Sequence, residues 1–100
     1  MEKIICAAIW YKDGIFRDHS PKNVDNGIVV CGRRHHNCFM TLKEIFEKRD
    51  YILKNLDGEQ TIQGFITTTN RFVDRYEGGT IAFSANQISE PKKLYSEDLY

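Results

Sequence analysis

The spacing of apolar positions along the 100-residue chain switches between strand-like and helix-like periods. Residues 4–10 (IICAAIW) are apolar almost throughout, and their β-branched and aromatic content suits a strand. Ala7 and Ala8 suit a helix too, but Lys12-Asp13-Gly14 supplies a turn signal too soon for a long one. Ile15-Phe16 then begins a second strand, making a hairpin. Residues 17–27 are a loop by composition, either lying over a site or forming a plain excursion. Residues 28–31 (IVVC) read as a strand. From Thr41 the period becomes helical as far as Leu53, with Leu42, Ile45, Phe46 and Leu53 on one side. Thr41 and Glu44 have capping-box spacing, and Met40 with Ile45 forms a hydrophobic staple. Residues 55–60 are a connector turning at Asp57-Gly58.

The alternation resumes at residues 61–67, with Ile62, Gly64 and Ile66 on one face and Gln63, Phe65 and Thr67 on the other. Gly64 there permits a bend or the close approach of a neighbour. Thr68-Thr69-Asn70 is a polar corner. Asp74 followed by Glu77 is a second cap signature, with Ile81, Ala82 and Ala85 as the apolar stripe behind it. Gly78-Gly79 interrupts that helix at about 1 kcal/mol per glycine. Either packing overrides the pair or the helix begins after it. Pro91 ends the element, and residues 92–100 are a tail anchored by Leu94-Tyr95 and Leu99-Tyr100, packing back on the domain or across a subunit interface. The elements describe a single α+β domain over 1–100, a small antiparallel sheet with two main helices.

Charge narrows the function classes. Fourteen Lys and Arg balance fourteen Asp and Glu, which argues against binding nucleic acid by bulk electrostatics. Cys6, Cys31 and Cys38 are an odd number without a secretory signal ahead of them, so reduced thiols inside a cell are the expectation. No run approaches the roughly 18 apolar residues of a membrane span. A chain this short closes a deep pocket best with a second copy of itself.

Polar chemistry concentrates in residues 32–39 (GRRHHNCF), between a strand and a helix. His35, His36, Cys31 and Cys38 lack zinc-ligand spacing, and the ordinary arrangement has one histidine inward on a hydrogen bond and the other exposed. Cys38 with His35 or His36 lacks a specific nucleophile signature, and no residue is assigned a catalytic role. Anion binding fits better. Arg33 and Arg34 offer planar forks for phosphate oxygens, and the helix N-terminus expected near residues 40–42 adds free N–H groups. Arg71 and Arg75 flank the second helix start in the same way, while Phe39, Phe65, Phe72 and Tyr76 supply ring surfaces for a base. The same arginines equally suit ion pairs with Asp74, Glu77, Glu97 or Asp98, and the phenylalanines suit a core.

The blocks KIICAAI at 3–9, RHH at 34–36, QGFIT at 63–67, RFVDR at 71–75, Ile81-Ala82, Gln87-Ile88 and YSEDLY at 95–100 together resemble a family of small bacteriophage-encoded proteins. Within it the chain is similar to the anti-Thoeris sponge proteins, which are small, oligomeric and non-enzymatic. That resemblance implies sequestration of a cyclic ADP-ribose-type or other cyclic nucleotide signal without cleavage, in the cytoplasm of the infected bacterial host. It implies a homo-oligomer with a pocket at a subunit interface, no cofactor, no metal and no membrane association. The positions it carries over are Arg34, His35, Phe65, Arg71 and Arg75. Gly78-Gly79 and the long 17–27 loop depart from the pattern, in helix boundary and in pocket shape respectively. The alternatives are direct binding of a host or defence protein and a small hydrolase using His35 or His36.

Overall fold

The computed structural model describes residues 1–18, 20–47 and 61–99, without the side chains of Phe46 and Glu47. Its elements follow the chain as β1 (Ile4–Tyr11), β2 (Ile28–Gly32), α1 (His35–Glu47), β3 (Thr61–Thr67), β4 (Phe72–Asp74) and α2 (Arg75–Ser84), with a 3-10 turn over Ser96–Asp98. The strands form one antiparallel sheet in the order β2-β1-β3-β4. The α+β architecture read from the sequence is therefore the observed one, with the order of strands added.

The period-two pattern sorts side chains onto two faces. On one, Ala7, Ile9, Tyr11, Val30, Phe65 and Val73 pack with Cys38 and Leu42 of α1, Ala82 of α2 and Leu94 of the tail. On the other, Ala8 and Phe72 pack with Val24, flanked by Trp10, Val29, Ile62 and Ile66. A bulge in β1 lets both alternations hold: Ile4 pairs with Thr67 and Cys6 with Ile66, so Ile5 is the extra residue. Ile4 thereby joins the helix-side core, and Ile5 is exposed.

The 17–27 loop covers that second face. Val24 is buried there, and Lys22 N–H reaches the Asn70 carbonyl at 2.8 Å. The Asn23 amide accepts from Phe72 N–H at 2.8 Å and donates to the Phe72 carbonyl at 2.7 Å, closing the edge of β4 as another strand would. Ile15-Phe16 does not form the expected second strand. Asp13 accepts from Ile15 N–H at 2.9 Å and pairs with Arg17 at 2.7 Å, folding the segment into a turn, and β2 takes the place beside β1.

Helix α1 starts six residues before the expected Thr41. Its cap is Arg34, whose N–H is held by the Asn37 side chain at 3.1 Å. Thr41 instead donates to the Asn37 carbonyl one turn back at 3.1 Å, so the Thr41–Glu44 box does not form. The inward spacing of His35, Cys38, Leu42 and Ile45 explains the earlier start, because Cys38 is a fully buried core residue. The expected helix beyond Glu47 and the connector at 55–60 lie outside the described residues.

Helix α2 starts where expected, with Asp74 accepting from Glu77 N–H at 2.8 Å. It ends at Ser84, not at Pro91, because Asn86 turns into the left-handed region at φ 61°. Packing overrides the glycine pair inside it. A Cβ on Gly79 would overlap the Lys92 carbonyl, and one on Gly78 would press on Phe65 at 3.2 Å. The tail crosses α2 at that point, and Leu94 N–H bonds to the Arg75 carbonyl at 2.9 Å. Gly64 has the same role in β3, where a Cβ would overlap the Val73 carbonyl.

Helix propensity alone makes Gly79→Ala stabilising by about 1 kcal/mol. The overlap with the tail reverses the sign, to a loss of about 3 kcal/mol or more. A fall in the urea midpoint at unchanged slope is the expected outcome.

Candidate functional site

Phe39 of α1, the N-terminal half of β3, the start of α2 and the tail meet around a cleft of about 670 Å³. Phe39, Thr61, Ile62, Gln63, Asp74, Arg75, Tyr76, Lys93 and Tyr95 line it. Such a volume falls within the range of small-molecule sites.

His35 lies behind that lining, against Arg75. It is the first residue of α1, only 8% exposed, and its Nε2 lies 2.8 Å from the Gly64 carbonyl. A carbonyl only accepts, so Nε2 carries the proton and Nδ1 offers a lone pair. Arg75 Nη2–H fills it at 3.3 Å. The imidazole also meets the Phe65 ring edge-on, with centroids 5.2 Å apart. Burial, joined by the nearby Arg75 charge, holds the His35 pKa below the ordinary imidazole value, against opposing effects of the Gly64 hydrogen bond and Glu97. His36, one position on, is exposed. One histidine inward and one outward is the arrangement expected from the residues, although it arises on a helix and not on extended chain.

Arg75 is the cationic centre of the cleft. Besides His35 it holds the Gln63 side-chain oxygen and the Leu94 carbonyl at 3.4 Å, and its guanidinium lies 4.6 Å over the Tyr95 ring. Lys93 Nζ sits 5.5 Å from the Tyr76 ring and 5.7 Å from that of Tyr95. Two cations thus alternate with two tyrosines, 67% and 44% exposed, along one side of the cleft.

Of the five residues singled out in the sequence, the structure joins His35, Phe65 and Arg75 in one contact chain. Phe65 is 0% exposed and backs the imidazole from within the core. Arg34 caps α1 outside the cleft lining. Arg71 lies elsewhere, at the β3–β4 turn. It grips the Glu2 carboxylate with Nε at 2.9 Å and Nη2 at 2.8 Å, and pairs with Glu77 at 3.3 Å. Thr67 and Thr69 donate to the same carboxylate, so the Glu2 cluster clamps the N-terminus to that turn. The N-terminus of α1 lies at His35, not at residues 40–42, and the Asn37 N–H is already held by the Arg34 carbonyl at 3.1 Å. Sequence reasoning missed Gln63 and Lys93. The signal for Gln63 was its place on the Phe65 face of β3, where a polar residue among core positions is out of pattern.

Arg71 hydrogen bonds, with those of Thr67 and Thr69, hold the Glu2 carboxyl far below the usual carboxylate range. A folded pKa below the unfolded one adds stability above the ordinary carboxylate pKa, and that stability fades as pH falls toward the folded value. Glu2→Gln is expected to lower stability by on the order of 1 kcal/mol at neutral pH and to flatten the acid limb of a melting-temperature profile. For His35, proton NMR of the imidazole should give a titration midpoint below that of free histidine, and Arg75→Gln should move it upward by removing a neighbouring cation.

Among the described residues no group of three or more His, Cys, Asp or Glu is placed to hold a metal ion, and no helix is long and apolar enough to cross a membrane. No curated protein and no solved structure matches the chain. A family model described as Phage T4 y16D protein matches residues 3–100. From the first strand to the tail that frames the cleft, this chain belongs to the bacteriophage y16D protein family.

Proposed function

We propose that the chain is a stoichiometric binder of a nucleotide-type ligand, and that it sequesters a cyclic ADP-ribose-type or other cyclic nucleotide signal without cleaving it. The observation that carries this reading is the Arg75 guanidinium, braced by His35 and laid over Tyr95 in an open cleft. A phosphate needs a planar cationic fork, and a purine needs a ring to stack on. Arg75 with Lys93 supplies the first, and Tyr76 with Tyr95 the second.

Both His35 nitrogens are engaged, by the Gly64 carbonyl and by Arg75, which suits a positioning residue better than a general base. Phe65 acts behind it. Arg34 lies outside the cleft lining of one chain, so in this reading it reaches a ligand only from a second copy that closes the open side, while Arg71 stays committed to Glu2. The resemblance to the interface-binding sponges supports that arrangement. A nanomolar dissociation constant corresponds to about 12 kcal/mol, which asks for phosphate bonds and stacking shielded from water.

The alternative of a protein partner draws on Tyr76 and Phe83, two turns apart on α2 and both exposed. The two readings separate at Phe83, which is not in the cleft lining.

Incubation with cyclic ADP-ribose isomers, followed by denaturation and chromatography, tests the proposal. Intact ligand should be recovered from the protein. Altered ligand would make the chain a hydrolase, and no retention at micromolar protein would exclude these compounds. Arg75→Ala should weaken binding tenfold or more, about 1.4 kcal/mol, in calorimetric titration. Phe83→Ala should leave it unchanged.

A further inference from the structure

The sheet face turned away from the helices and the cleft carries a second chemistry. The register pairs Ala8 with Cys31 and Ala7 with Gly32, which sets Cys6 one diagonal step from Cys31 on adjacent strands. Both side chains project from the same face of the sheet, and each thiol influences the ionisation of the other. The two are unequally placed: Cys31 is exposed and Cys6 half-buried. Cys38, on the opposite face, is fully buried and donates to the Arg34 carbonyl at 3.5 Å and the Ala7 carbonyl at 3.6 Å.

We propose that Cys6 and Cys31 form a thiol–disulfide exchange site that takes low-molecular-weight disulfides of the glutathione class and closes to an intramolecular disulfide. The exposed Cys31 thiolate attacks one sulfur of the small disulfide. That bond breaks, one small thiolate leaves and takes up a proton, and a mixed disulfide remains on Cys31. Cys6 then loses its proton to solvent and attacks the Cys31 sulfur, expelling the second small thiol. Two protein thiols and one disulfide become one protein disulfide and two small thiols, so atoms and electrons balance.

The asymmetry of the pair assigns the roles. Its exposure makes Cys31 the attacking group, and the neighbouring Cys6 draws its thiol below the ordinary thiol value. The same contact, with burial, pushes Cys6 up, which suits a resolving group that reacts only once Cys31 is capped. Burial also pushes Cys38 up to about 11, so the third thiol is an internal control. The product bond would pin β2 to β1 just ahead of the α1 cap at Arg34.

Treating the folded protein with glutathione disulfide and measuring intact mass and peptide maps tests this. The expected product has lost two hydrogens, with Cys6 joined to Cys31 and Cys38 free. Cys6→Ser should stop at a stable glutathione adduct on Cys31, its fold checked by circular dichroism. An adduct that persists on Cys31 in the unmodified sequence, an unreactive Cys31, or a bond involving Cys38 would each overturn the assignment.

Discussion

An imidazole carried into the interior must have both nitrogens satisfied, because a buried polar group left without a bond is disfavoured by about 1–3 kcal/mol. His35 meets that requirement with partners from two other elements, the Gly64 carbonyl of β3 and the Arg75 guanidinium at the start of α2. This polar link fixes how the first turn of α1 approaches the sheet and where α2 begins relative to it. Arg75 extends the link to the tail through the Leu94 carbonyl and the Tyr95 ring. The cleft lies where these segments converge, and His35 reaches it through Arg75.

The sheet then solves the problem of a short chain with two apolar faces. Helices cover one face, and a loop covers the other by burying Val24 beneath the plane of β1 and β4. Trp10 locks that loop in place, its indole N–H donating to the Asn26 carbonyl at 2.7 Å and its ring meeting Phe72 edge-on at 5.7 Å. Asn23 finishes the edge of β4 without a further strand. The long 17–27 segment is therefore part of the packing and is not a cover for the cleft, which opens on the helix side.

Membership of the y16D family places the chain among bacteriophage proteins. In the proposed reading, the paired cations and exposed tyrosines of the cleft are what an anionic, ring-bearing ligand would meet. The Glu2–Arg71 clamp belongs to the architecture of one chain, holding its first residues to the turn that leads into β4. Separating these two arginine environments is what turns a list of basic residues into a site.

Much of the fold was legible because its determinants are local. The apolar runs at 4–10 and 28–31 and the period-two run at 61–67 marked three strands, and Asp74 with Glu77 marked the start of α2 through a bond spanning three residues. Gly64 announced a close approach that the Val73 carbonyl makes. What failed were choices between competing local signals. The Thr41–Glu44 pattern lost to Asn37 because burying Cys38 and His35 required the helix to start earlier. Ile15-Phe16 lost its strand because β2 supplied the pairing. Gly79, a helix breaker by propensity, sits inside α2 because the tail passes too close for any side chain. The sequence by itself determined most of the element types and the buried faces, since each depends on residues within a few positions. Tertiary structure alone decided which arginine meets the cleft, because Arg71 finds its carboxylate 69 positions away and Arg75 its histidine 40 positions away. Spacing along the chain carries no record of such distant pairs.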